Sequence, residues 1–261
     1  MIELQDVVVA YDTRVILDHI NLTIPDGETL VILGGSGSGK STLLRLLIGL
    51  QRPTSGKIFV DGTEITSLNE EEFNKVRLKM GMVFQYSALF DSMTVGENVA
   101  FGLNQHSYKS KDEIKAIVAE RLDWVGLGGY EDYMPSELSG GMKKRVSLAR
   151  AIAQDAKFIL YDEPSSGLDP ITSGTISMLI KGMQSRLGCT SIVVTHDMQS
   201  AFYVADRIAL LDRGRFIEVS SAEEFKHSTN KKVQQFINGK AEELTISASL
   251  PRACSSVRTV L

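Results

Sequence analysis

Nine consecutive residues, Gly34-Gly35-Ser36-Gly37-Ser38-Gly39-Lys40-Ser41-Thr42, carry the strongest chemical signal in the chain. Gly34, Gly39, Lys40 and Ser41 stand in the spacing G-x-x-x-x-G-K-[ST], directly after the apolar run Leu30 to Leu33 and directly before the helix-forming stretch Leu43 to Leu50. Glycines let successive backbone N–H groups turn toward one centre, and the following helix adds its positive end. The chemistry is phosphate binding. Lys40 falls in the first helical turn, where the helix dipole disfavours a cation. That local conflict is resolved by a bound phosphate.

Other residues suited to chemistry stand at the ends of apolar runs. Phe158 to Tyr161 terminates in Asp162-Glu163, two adjacent carboxylates expected to point to opposite sides of an extended backbone. One suits a hydrated Mg²⁺, and the other can orient or deprotonate a water. His196 follows the apolar run that starts at Cys189, and Gln85 follows Met80 to Phe84; the Gln85 amide can reach a metal ion or an attacking water, or simply end a strand. Tyr11, at the end of the first apolar stretch, offers a face for a base or is an ordinary strand-end aromatic. Ser139, Gly140 and Gly141 open a further helix, where exposed N–H groups can bind an anion, although capping alone accounts for Ser139. Asp169 before Pro170 also reads as an N-cap. Lys143, Lys144 and Arg145 are expected on a solvated helix face.

These residues need elements to carry them. Ile2 to Tyr11 and Ile20 to Ile24 read as antiparallel strands ahead of the strand Glu28 to Leu33, with Pro25-Asp26-Gly27 as a turn. Lys57 to Val60 is a strand, Asp61-Gly62 a hairpin turn, and Asn69 with Glu72 a capping box. From residue 86 to about 155 the pattern is helical, with helices over Thr94 to Leu103, Ser110 to Val125 and Lys143 to Gln154. The loop Tyr86 to Met93 is apolar for a connection, which fits either packing or an exposed contact surface. A helix over Ile171 to Leu187, a strand over Cys189 to Thr195, a helix over Met198 to Ala205 and a closing hairpin between Arg207 and Val219 follow. The folded domain is expected to span 1–239, and 240–261 to be a flexible tail or a docking strap.

Composition sets the broad class. With 43% apolar residues in 261, a sizeable core is possible, and a net charge of −4 disfavours nucleic acid as a partner. Two cysteines, Cys189 and Cys254, do not make a disulfide framework. Neither a secretion signal nor a run of about 20 apolar residues is present, so a soluble chain in a reducing compartment is expected.

The phosphate cradle, Gln85, Leu138-Ser139-Gly140-Gly141-Met142, Phe158 to Glu163, Ser166-Gly167-Leu168-Asp169 and His196 occur in the order found in ATP-binding cassette (ABC) ATPases, which the chain resembles from Met1 to about Gly239. The resemblance implies an α/β P-loop NTPase core with a mixed central sheet, an N-terminal antiparallel β subdomain and an inserted α-helical subdomain. It implies that Tyr11 stacks on adenine, Lys40 contacts the β/γ-phosphates, Ser41 and Asp162 hold Mg²⁺, and Gln85 senses the metal and a membrane partner. Glu163 is then the base and His196 the contact to the γ-phosphate, while Ser139, Gly140, Gly141 and Asp169 face ATP held by a second, identical subunit. Met142 and Gly167 depart from the commonest residues of the family, and neither departure removes a charge or ligand. With Ser87 to Phe101 and Gly141 to Ile152, they are similar to ATPases of Mce-type bacterial phospholipid transporters. The implied setting is the cytoplasmic face of the cell membrane, with permease subunits and an Mce-domain lipid-binding protein. Amino-acid or ion importers, and cassette ATPases outside transport, are the alternatives.

Overall fold

The computed structural model describes residues 1–239. The chain runs β1 (Ile2–Tyr11), β2 (Arg14–Ile24), β3 (Thr29–Leu33), α1 (Lys40–Leu47), β4 (Ser55–Val60), β5 (Thr63–Glu64), α2 (Glu70–Arg77) and β6 (Met80–Val83). Next come α3 (Val95–His106), α4 (Lys111–Trp124), α5 (Gly140–Ile152), β7 (Phe158–Asp162), α6 (Pro170–Leu187) and β8 (Thr190–Thr195). The described part closes with α7 (Met198–Val204), β9 (Arg207–Asp212), β10 (Arg215–Ser221), α8 (Ala222–Lys226) and α9 (Lys231–Ile237). The expected tail, 240–261, lies outside the described residues.

The strands form two sheets, one four-stranded in the order β2-β1-β4-β5 and one six-stranded in the order β10-β9-β3-β8-β7-β6. The first is antiparallel. In the second, β9, β3, β8, β7 and β6 run parallel and only β10 is antiparallel. The three central strands are apolar because both faces are covered. In β3, Val31 and Leu33 enter one hydrophobic core while Leu30 and Ile32 enter the other. In β7, Ile159 and Tyr161 divide from Phe158 and Leu160 in the same way. Alternation across the strand therefore serves two cores at once, one beneath α3 to α7 and one beneath α1 and the antiparallel sheet.

Helix starts follow the capping chemistry of the sequence. Asn69 and Glu72, Thr94 and Glu97, and Ser110 and Glu113 each form a reciprocal capping box. The segment between β6 and β7 packs α3, α4 and α5 on one another. Register then aligns the strand ends: Leu33 pairs with Thr195, Val194 with Asp162, and Tyr161 with Val83. The residues that follow each strand, those of the cradle, His196, Glu163 and Gln85, thus share the carboxyl edge of one sheet, where open α/β sheets bind ligands.

Candidate functional site

The cradle leaves β3 and enters α1 through backbone that side chains would obstruct. A Cβ on Gly34 would sit 2.3 Å from the Leu211 carbonyl oxygen and 2.6 Å from Ser38 Oγ. Gly37 and Gly39 are left-handed at φ 77° and 112°. Gly35, Ser36, Gly37 and Ser41 are exposed and Thr42 is half-buried, while Ser38, Gly39 and Lys40 are buried. Lys40 Nζ donates to the carbonyls of Gly34 at 2.7 Å and Gly35 at 3.0 Å. Burial lowers the Lys40 ammonium pKa, and the Glu163 and Asp162 carboxylates pull against that shift. The first turn of α1 has no acidic residue to offset this cation. Ser38 Oγ is buried without a hydrogen-bond partner. An orphan hydroxyl, open glycine backbone and a buried lysine at a helix start fit a phosphate.

Asp162 closes β7 beside this cradle. Burial is the largest influence on its carboxyl and raises its pKa, with Glu163 adding to the rise; Arg45, Lys40 and a hydrogen bond from Ser41 oppose it. Among the described residues no three His, Cys, Asp or Glu side chains group as metal ligands. One carboxylate, one hydroxyl and phosphate oxygens are instead the hard donors that suit Mg²⁺ with retained waters.

Glu163 does not continue the strand. It takes a left-handed φ of 47°, and its N–H donates to the Val194 carbonyl at 2.9 Å. The expected alternation of two extended residues is therefore corrected: a backbone reversal, not a pleat, parts the carboxylates. Asp162 faces Ser41 and Lys40, whereas Glu163 faces β8, accepting from Thr195 Oγ1 at 3.3 Å and lying 3.0 Å from His196 Nδ1. His196 is exposed. The carboxylate forms part of the lining of a groove of about 640 Å³ between α6 and α7, with His196, Asp197, Ser200 and Tyr203. Gln85 Nε2 donates to Ser166 Oγ at 3.4 Å, so its amide rests on the loop after Glu163.

The remaining predicted residues stand outside this cluster. Ser139 Oγ accepts from Met142 N at 3.3 Å and caps α5. A Cβ on Gly141 would meet Thr172 Cγ2 at 2.6 Å, and one on Gly140 would touch Leu168 at 3.8 Å, so the α5 start lies against α6. Asp169 caps α6 by accepting from Ile171 N and Thr172 N, each at 3.0 Å. Tyr11 ends β1 opposite Arg14 and is 56% exposed.

Four residues outside the predicted site hold this region together. Lys144 was expected on a solvated face and is buried at 5% exposure. Of its neighbours, Arg145 Nη1 donates to the Val125 and Gly126 carbonyls, both at 3.1 Å, closing the end of α4. Arg150 binds the carbonyls of Ser87 and Ala88. Asn98 is fully buried, accepts from Phe90 N at 2.8 Å and donates to the Phe90, Met93 and Thr94 carbonyls. A polar residue among the apolar positions Val95, Val99, Ala100 and Leu103 is the signal that could have found it.

Residues 17–166 match the family described as ABC transporter. The chain belongs to that family. This cassette is 42% identical to a probable ribonucleotide transport ATP-binding protein, mkl, of Mycobacterium tuberculosis, over 92% of this chain and 67% of that one. It is 40% identical to the intermembrane phospholipid transport system ATP-binding protein MlaF of Haemophilus influenzae, over 93% of this chain and 92% of that one. It is 47% identical to the methionine import ATP-binding protein MetN of Carboxydothermus hydrogenoformans, over 77% of this chain and 60% of that one. Among solved structures, the dimeric ATP-binding cassette MJ0796, in a post-hydrolysis state with ADP and Pi, superposes with a TM-score of 0.79 at 34% identity, covering 85% of this chain and 99% of that one. The fold is that of ABC ATPases, a P-loop NTPase core with mixed sheet, and the chain hydrolyses ATP in a reaction coupled to transport.

Proposed function

We propose that this cassette is the nucleotide-binding subunit of a bacterial phospholipid transporter of the Mce type, working as a homodimer beneath two permease subunits. The observation that carries the ATPase part is the convergence of Lys40, Ser41, Asp162 and Glu163 at one sheet edge. The cradle N–H groups and Lys40 hold the β- and γ-phosphates, and Tyr11 stacks on adenine. Ser41 and Asp162 would hold Mg²⁺, with Gln85 as a further ligand from the adjoining loop, and the ion would supply neutralisation of phosphate charge. Glu163 orients a water and takes its proton as that water attacks the γ-phosphorus, giving ADP and phosphate. His196, fixed by Glu163, contacts the γ-phosphate.

Ser139, Gly140, Gly141 and Asp169 stand at the starts of α5 and α6 and face the nucleotide of a second copy. ATP then closes the dimer and hydrolysis reopens it, driving the permease between states. Residues 1–239 form one ATPase domain, with about 86–155 as its helical subdomain. Within it the exposed Tyr86 and Phe90 present the permease contact. Among the described residues no helix is long and apolar enough to cross a membrane, which fits a peripheral subunit on the cytoplasmic face. Similarity to a phospholipid-transport cassette over most of both chains supports a lipid cargo delivered with an Mce-domain protein.

The test is purification from native membranes in mild detergent, followed by mass spectrometry of proteins and lipids. A permease with an Mce-domain protein and phospholipid is expected. A permease with a solute-binding protein overturns the lipid reading in favour of the amino-acid or ion importer alternative, and no membrane partner overturns transport of either kind.

A further inference from the structure

The cation run that opens α5 does not lie on the surface as a unit. Lys144 is turned inward, and its ammonium donates to the carbonyl of Gln85 and, at 3.4 Å, to the carbonyl of Glu163. The Glu163 carbonyl also accepts from Ser166 N at 3.1 Å, and Ser166 Oγ accepts from Gln85 Nε2 at 3.4 Å. These contacts close a ring: Lys144 to Gln85, Gln85 to Ser166, Ser166 to Glu163, and Glu163 back to Lys144. Burial lowers the Lys144 pKa, while the nearby Glu163 and Asp162 carboxylates hold the charge in place.

The same helix grips the next residues of the loop. Arg150 donates to the Ala88 carbonyl at 2.6 Å and the Ser87 carbonyl at 2.8 Å. Ser87 and Ala88 are non-glycine residues at φ 62° and 47°, a backbone that persists only where its surroundings hold it. Tyr86, between the two grips, is 87% exposed. Glu163 itself is left-handed and lies one residue past the β7 ladder, so its direction is set by what its peptide groups bind. Those partners are Val194, Ser166 and Lys144.

We propose that Lys144 is a positioning residue for hydrolysis: from α5 it ties the backbones of Gln85 and Glu163 into one body, and so sets the aim of the Glu163 carboxylate and joins it to the exposed segment at Tyr86. The proposal rests on the reading of Glu163 as the base. The hydrogen bonds of Lys144 go to the Gln85 and Glu163 carbonyls and none to the cradle, so its loss acts on turnover and not on nucleotide capture. A misaimed base costs rate out of proportion to the displacement.

The test uses the full chain with steady-state ATPase assays and a fluorescent-ATP titration. Lys144→Met removes charge and donors at similar length; kcat is expected to fall by at least about tenfold with KM for ATP changed less than about threefold. Lys144→Arg, which keeps the charge and donors, is expected to recover a substantial part of kcat, which a simple packing role does not predict. If Lys144→Met does not fold, Lys144→Gln, with one donor and no charge, serves in its place. In a Glu163→Gln background the Lys144 substitution is expected to add little further loss, because both act on one group. A kcat within twofold of the parent, or an arginine variant as impaired as the methionine one, overturns the proposal, as does full additivity with Glu163→Gln. Substantial turnover by Glu163→Gln alone overturns the base assignment instead, so the two failures are distinguishable.

Discussion

Glu163→Gln removes one charge and almost no volume, and the structure bounds what else it disturbs. The carboxylate accepts from Thr195 Oγ1 at 3.3 Å and lies 3.0 Å from His196 Nδ1, and a glutamine carbonyl oxygen can accept in either place. The His196 side chain is 68% exposed, so its pairing with Glu163 contributes well under about 1 kcal/mol to stability. For a domain of this size the melting temperature is therefore expected to move by no more than about 2 °C. The backbone turn at Glu163 depends on main-chain contacts that the substitution keeps. Catalysis is different. A positioned base contributes roughly 10²- to 10⁴-fold, equivalent to about 3–5 kcal/mol of barrier. Expected, then, is phosphate release slowed by at least about 100-fold, nucleotide affinity equal to the parent or tighter because one anion near the phosphates is gone, and an unchanged melting curve. Phosphate release, fluorescent-nucleotide titration and differential scanning fluorimetry on one preparation give the three values. Turnover within about threefold of the parent at full nucleotide occupancy would refute the assignment of Glu163 as base.

Tyr11→Ala removes an exposed ring whose loss costs little packing, so KM for ATP is expected to rise roughly tenfold while kcat and melting temperature hold; an unchanged KM removes adenine stacking. Asn98→Ala leaves the Phe90 N–H and the Met93 carbonyl without their side-chain partner, while the Phe90 and Thr94 carbonyls keep main-chain donors, at a cost of about 2–3 kcal/mol and a melting temperature lower by roughly 5–10 °C, read by calorimetry. Asp61, hydrogen-bonded by Lys157 and then by Lys79, has its carboxyl pulled down to about 2. A carboxyl depressed in the folded state adds stability above the unfolded value near 3.8, and that stability is lost as pH falls toward 2. Asp61→Asn is therefore expected to be less stable by about 1 kcal/mol at pH 7, after allowance for solvent screening. In urea titrations the gap should narrow below pH 4.

Much of the fold was legible because its signals are local. Capping residues satisfy N–H groups within three residues of themselves, so the starts of α2, α3 and α4 could be read directly. Apolar runs such as Phe158 to Tyr161 announced strands covered on both faces. The cradle was legible for the same reason, since its glycines and Lys40 act within nine residues, Gly34 to Thr42.

What the order of residues determined by itself was the element order, the phosphate-cradle motif and the candidates Asp162, Glu163, Gln85 and His196. Tertiary structure decided which way they face. Adjacent carboxylates part through a left-handed turn at Glu163, imposed by the hydrogen bond to Val194 and the contacts of its carbonyl with Lys144 and Ser166. Lys143, Lys144 and Arg145 are alike as a run of positive charge, and only the packing of α5 beside β6 buries Lys144 against carbonyls 59 and 19 residues away in sequence, while Arg145 reaches the end of α4. Charge and periodicity record how a residue meets water; which carbonyl a buried cation meets depends on chain segments brought together only by the folded sheet.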